Sequence, residues 1–144
     1  MPTTDARRHA IPGTRMNPIR MAAVSCVTVA LLLYSIGTVR IQRARRAVVA
    51  ARGFLTAGVL MDVIATTLMV LASPRGLTVH GVLGYSALLL MAVDVALVWR
   101  HWRRHGTSET PPGLHLYSRW AYVYWVVAYF TGAALVMAAR TGHP

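Results

Sequence analysis

Four long apolar runs, separated by short polar segments, dominate the chain. They cover residues 21–39, 53–72, 77–99 and 114–139. A helix needs about 20 mostly apolar residues to cross a bilayer core of about 30 Å, and each run is long enough. The pattern predicts an all-α polytopic membrane protein, an up-down-up-down bundle of four transmembrane helices within residues 19–140. Residues 1–18 lack periodicity and are expected to form a disordered leader, with residues 141–144 as a tail.

The polar segments carry most of the positive charge and set the expected orientation. All 15 basic residues are arginine, and with only four acids the net charge is +11. Nine of the arginines lie in two caps, 40–52 and 100–119. The positive-inside rule places both caps inside a bacterial cytoplasmic membrane and both termini outside. The turn expected at 73–76 lies on the opposite side.

The same rule accounts for the arginines without nucleic acid, so the lipid bilayer, not nucleic acid, is the expected partner. The 40–52 cap is interpreted as a solvated loop that anchors two helices at the headgroups. Specific binding of anionic lipid is the alternative. The chain also lacks a hydrolytic triad, a phosphate-binding loop and an HExxH motif, which argues against a classical enzyme.

The third run combines a histidine, glycines and a carboxylate on one helical stripe. At 100° per residue, the stripe holds His80, Gly84, Ala87, Met91 and Asp94. Such a stripe is expected to face protein or water rather than lipid. The histidine is either a polar residue bonded to a neighbouring carbonyl or a ligand to a metal or haem iron. Gly81 and Gly84 would let a helix or a flat macrocycle approach closely.

The second run places Asp62 on a face with Gly58 and Thr66, which predicts that the carboxylate points into the bundle. A carboxylate in hydrocarbon costs about 2.5–3.5 kcal/mol and needs a partner or a neutralising proton. Arg119 is the cation expected near Asp62 and Asp94. Two interpretations stay open, a structural polar knot of Asp, Arg and Tyr, and a proton relay or ligand contact.

Two further histidine positions are candidates for ligands. His115 lies near the inner end of the fourth run, where it is either an interfacial residue or a second metal ligand. His80 and His115 are expected at opposite ends of the bundle, so they would not bind the same iron. His101 and His105, at i and i+4, could chelate a metal, but a solvated interfacial face is favoured.

Four sequence segments, in order, resemble the HsmA-like family of small four-helix bacterial membrane proteins associated with haem. The segments are LLLYSIGT (31–38), GVLMDVIATTLM (58–69), HGVLGYSALLLM (80–91) and LHLYSRWAYVYWVVAYFTG (114–132). The matching residues are Asp62, Thr66, Thr67, His80, Gly81, Gly84 and His115. Asp94 stands where members of the family tend to carry a second histidine. The resemblance implies one haem rather than a bis-histidine pair on this helix.

The leading hypothesis is therefore an integral membrane protein that binds haem b non-covalently, with a sequestering or redox role. His80 in the outer half is the first ligand expected, and His115, with Arg119 pairing a propionate, is the competing placement. Two alternatives belong to other classes. One is an accessory subunit of a larger membrane complex, and the other is a small oligomeric transporter that uses Asp62 as its proton-coupled carboxylate.

Overall fold

The computed structural model describes residues 18–72 and 78–141, and these form four helices. The helices are α1 (Pro18–Ala44), α2 (Val49–Ala72), α3 (Val79–His105) and α4 (Pro112–Thr141). The all-α prediction is confirmed. The leader expected over most of 1–18, the turn at 73–76 and the tail after residue 141 lie outside the described residues.

Three of these helices, α1, α2 and α3, are long and apolar enough to cross a membrane, judged by length and composition. Each extends beyond one end of its predicted span or both, and in α1 and α3 the helix continues through flanking basic residues, to Ala44 and His105. The structure therefore supports a membrane protein with a helical core. Four spans, with α4 as the last, stay a prediction.

The ends of α3 show the local chemistry that fixes helix boundaries. The Thr78 hydroxyl accepts a hydrogen bond from the backbone N–H of Gly81 at 3.1 Å, which caps the first turn. At the other end, Gly106 has φ 61°, a conformation that glycine adopts without strain, and its N–H bonds the carbonyl of Trp102. The sequence indicated that Gly81 allows a helix or a macrocycle to approach. The structure gives a reason within α3 as well, because a Cβ on Gly81 would lie 3.3 Å from the Thr78 hydroxyl oxygen.

The closest packing in the bundle joins α1 to α2. A Cβ on Gly58 would lie 2.9 Å from the backbone N of Tyr34, and one on Gly37 would lie 2.9 Å from the backbone N of Leu55. Only glycine permits this approach, as in membrane bundles that pack through small residues. Around the bundle, α1 neighbours α2, α2 neighbours α3, α3 neighbours α4 and α4 neighbours α1. The remaining pairs, α1 with α3 and α2 with α4, are the diagonals.

The two basic caps meet at one end of the bundle. The N–H of Thr110, between α3 and α4, donates to the carbonyl of Arg45, between α1 and α2, at 2.8 Å. Arg46 and Glu109 form an isolated antiparallel bridge beside it. The structure thus confirms that both arginine-rich segments share one side, which we call the basic end. At the opposite end, the imidazole of His80 packs against Gly132 of α4.

Candidate functional site: two carboxylates at the centre of the bundle

Asp94 of α3 lies in the centre of the bundle, where it accepts two hydroxyl hydrogen bonds. The Tyr34 hydroxyl of α1 donates to Oδ2 at 2.5 Å. The Ser118 hydroxyl of α4 donates to Oδ1. Asp94 is 0% exposed, and both donors are buried as well. Three helices are therefore tied together at one carboxylate.

Asp62 of α2 has a different environment. It is 5% exposed, and the indole N–H of Trp125 in α4 donates to its Oδ2 at 3.0 Å. No other hydrogen bond to Asp62 is present in the described part of the chain, so Oδ1 has no donor. The prediction that Asp62 faces the bundle interior is confirmed.

Both carboxylates are bridged across the diagonals of the bundle. The Tyr34–Asp94 bond joins α1 to α3, and the Trp125–Asp62 bond joins α4 to α2. The ring of Tyr34 lies 5.8 Å, between centroids, from the ring of Trp125. The backbone of Tyr34 also packs on Gly58, one turn before Asp62. Tyr34 therefore connects the two carboxylates physically, although each has its own donors.

Neither carboxylate has a cation beside it. Arg119, the expected partner, is exposed on α4. Among residues 18–72 and 78–141, Asp62 and Asp94 are bonded only to hydroxyl and indole groups. Arg119 is displaced because the buried face of α4 consists of Ser118, Ala121, Trp125 and Ala128. The face expected to point inwards, through His115, Arg119 and Tyr122, is rotated by one residue, about 100°, from this buried face.

The buried cation of the structure lies instead at the basic end. Arg52 is only 3% exposed, and its guanidinium carbon lies 3.7 Å from the ring centre of Trp102 and 4.8 Å from that of Trp99. Such contacts with tryptophan faces stabilise a guanidinium by about 0.5–2 kcal/mol. The sequence had placed Arg52 in a solvated cap. The i, i+3 spacing of Trp99 and Trp102 on α3 is the signal that could have identified this contact.

The two candidate histidines lie at opposite ends, as expected. His80 is half-buried at the start of α3, and its Nδ1 is a buried atom with no hydrogen-bond partner in the described structure. His115 is half-buried in the first turns of α4, where its Nε2 is likewise buried and unpartnered. The His115 carbonyl accepts a hydrogen bond from the Gln42 amide at 2.9 Å.

The surroundings of His80 fit a haem in one respect and oppose it in another. Beside Gly84, one turn along α3, a Cβ would meet nothing within 4 Å, so there is space next to the helix. The imidazole itself is turned towards α4, with Cε1 at 2.4 Å from the position a Gly132 Cβ would take. Iron ligation would therefore require the His80 side chain to leave α4.

The other candidate metal ligands, His101 and His105, lie side by side, without a third ligand among the residues that the structure describes. His101 and His105 stack with ring centroids 5.0 Å apart. Over the described ranges, no group of three or more His, Cys, Asp or Glu side chains is placed to hold a metal ion.

The sequence indicated both carboxylates and a tyrosine as members of a polar knot, but it did not indicate which tyrosine, nor Ser118 and Trp125 as partners. Comparison with protein-family models, with curated proteins and with solved structures gives no match. The resemblance to the HsmA-like family, and the haem it implies, therefore stay predictions. What the structure adds is a helical membrane protein with two carboxylates at its centre.

Proposed function

We propose that the protein is a four-span, proton-coupled membrane transporter in which Asp62 takes up and releases the proton. The observation that carries the proposal is the environment of Asp62, a buried carboxylate that has, among the residues the structure describes, one neutral hydrogen-bond donor and no cation. In the low dielectric of a membrane bundle, such a group needs a neutralising proton.

The geometry favours Asp62 over Asp94 as the proton carrier. Both oxygens of Asp94 accept hydrogen bonds, which is the pattern of an ionised carboxylate. A proton on either oxygen would oblige a hydroxyl partner to reorient. Only Oδ2 of Asp62 is engaged, by an indole N–H that can only donate. Oδ1 can gain or lose a proton without breaking that bond.

The proposal requires Asp62 to carry its proton across the membrane with or without a cargo, so it is tested by proton flux into proteoliposomes that contain a pH-sensitive dye, driven by an imposed membrane potential. We expect flux above that of protein-free vesicles, and a loss of at least tenfold in Asp62→Asn, which keeps the shape but cannot carry the proton. Glu109→Gln, which removes an exposed carboxylate, is the matched control and should transport normally. Wild-type flux equal to that of empty vesicles would contradict the proposal, as would full activity in Asp62→Asn.

Haem b binding in the outer half is the second candidate, and the unpartnered ring nitrogen of His80 favours it. The absorption spectrum of the purified, haem-supplied protein, oxidised and reduced, tests it directly. If His80 is the ligand, His80→Ala loses the haem bands and His115→Ala retains them. The reverse result would move the site to the basic end, and a wild-type protein without haem bands would remove this candidate.

The proposed orientation places the basic end inside the bacterial cytoplasmic membrane and both termini outside. It is supported by the shared location of the two arginine-rich segments. Single cysteines at Gln42 and Gly76, in a Cys26→Ala background, should react with an impermeant reagent from opposite sides. Labelling of the cysteine at position 42 from outside would overturn the orientation.

A further inference from the structure

A groove of about 370 Å³ lies at the basic end, between the last turns of α3 and the first turns of α4. Arg100 and Arg104, one turn apart on α3, form part of its wall. None of the nine residues that line it is acidic. An anion that enters the groove therefore meets two guanidinium groups and no opposing carboxylate.

The start of α4 adds to this positive potential. Gly113, in the first turn, lines the groove. The N–H groups of Leu114 and His115 both donate to the carbonyl of Pro111, and Pro112 has no N–H, so Gly113 supplies the backbone N–H of this turn that has no bond in the described structure. Helix N-termini carry a partial positive charge and exposed N–H groups, and they commonly bind phosphate.

A third observation concerns His101, which also lines the groove. Its Nε2 is buried and has no hydrogen-bond partner in the described part of the chain. A buried ring nitrogen without a partner normally indicates a missing ligand or water. His101 is thus a residue of the groove wall with one ring nitrogen that has no partner in the described part of the chain.

The groove has apolar residues on its membrane side. Leu97 lies one turn before Arg100 on α3, towards the middle of the span, and Leu114 and Tyr117 contribute from α4. Trp99 and Trp102, on the same segment of α3, are residues that favour the membrane interface. A free phosphate would use only the charged part of this surface, whereas a lipid would use both parts.

We propose that this groove binds one anionic phospholipid. The phosphodiester pairs with Arg100 and Arg104 at the N-terminus of α4, and an acyl chain lies along Leu97 and Leu114. The site is independent of Asp62 and would hold the ends of α3 and α4 together at the headgroup level.

Native mass spectrometry of the detergent-solubilised full chain tests the proposal. The chain is titrated with phosphatidylglycerol in one arm, with phosphatidylcholine in a second and with inorganic phosphate in a third. We expect one phosphatidylglycerol per chain and at least tenfold weaker binding of the other two. The double variant R100Q/R104Q should bind phosphatidylglycerol about 30-fold more weakly, since an arginine near an anionic lipid surface contributes about 1 kcal/mol and 1.4 kcal/mol is tenfold.

The matched control is R43Q/R46Q, which removes two exposed arginines from the same end and leaves the groove intact. Its affinity should fall less than threefold. An equal loss in both double variants would show diffuse surface charge rather than a site and would overturn the proposal. Inorganic phosphate that binds as tightly as the lipid would overturn it too, because the groove would then recognise the free anion.

Discussion

Asp62 and Asp94 are the same residue type at the centre of the same bundle, yet their surroundings differ. Asp94 is wholly buried and accepts two hydroxyl hydrogen bonds from two helices. Asp62 is almost as buried but accepts a single bond from an indole. The number of donors, and not the depth of burial, separates a carboxylate with both oxygens bonded from one that keeps an oxygen without a donor among the described residues.

The largest effect is expected from removing both donors to Asp94. The double variant Y34F/S118A leaves a buried carboxylate without a partner, and since each hydrogen bond to a charged group contributes about 1.5–3 kcal/mol, the free energy of unfolding should fall by about 4 kcal/mol. Denaturation in mixed detergent micelles measures it. Thr67→Ala is the control, because that exposed hydroxyl bonds only the Val63 carbonyl of its own helix. A loss below 1 kcal/mol in the double variant would refute the structural role given to Asp94.

A smaller loss of stability is expected from Gly58→Val. Gly58 is on α2, the helix of Asp62, but it packs against Tyr34, which donates to Asp94. The new side chain would collide with the backbone of Tyr34 and push α1 from α2. Overpacking of this kind costs about 1–3 kcal/mol. Gly53→Val on the same helix is the matched control, because nothing lies within 4 Å of its Cβ position. Equal stability of the two variants would contradict the close packing of α1 on α2.

The smallest loss is expected from Trp125→Phe, which removes the one hydrogen bond that Asp62 accepts within the described residues and keeps an aromatic ring. If Asp62 carries a proton, the missing bond is one between neutral groups and costs about 1 kcal/mol. Trp120→Phe, at an exposed position of the same helix, should be close to neutral. A loss near about 3 kcal/mol, the value for a hydrogen bond to a charged group, would mean that Asp62 is ionised and would remove the difference between the two carboxylates.

The sequence predicted the helices and the inward direction of Asp62 because both follow from the period of apolar positions. It predicted a tyrosine beside the carboxylates, but not which one, and it did not predict Ser118 or Trp125 as donors. Tyr34 and Trp125 appear in a sequence as ordinary aromatic residues of a span, and Ser118 as a small polar residue near an interface. Their role depends on how α1 and α4 are rotated about their axes. An error of one residue in the face of α4 exchanges Ser118 for Arg119.

Arg52 shows the same limit at the basic end. Counting arginines placed it correctly at the end of the bundle but treated all the arginines of the cap as solvated. The structure buries this one against Trp99 and Trp102 of a different helix. Charge patterns determine the end at which a residue lies, whereas its burial depends on contacts distant in sequence.

Infrared spectroscopy of the carboxyl C=O stretch shows directly whether Asp62 carries a proton, since a protonated carboxylic acid absorbs apart from a carboxylate. If Asp62 carries the proton, the wild-type protein at neutral pH should show one band from a protonated, buried carboxyl group. That band should disappear in Asp62→Asn and persist in Glu109→Gln and in Y34F/S118A. A wild-type protein without the band, or a band that survives in Asp62→Asn, would contradict the assignment of Asp62 as the proton carrier.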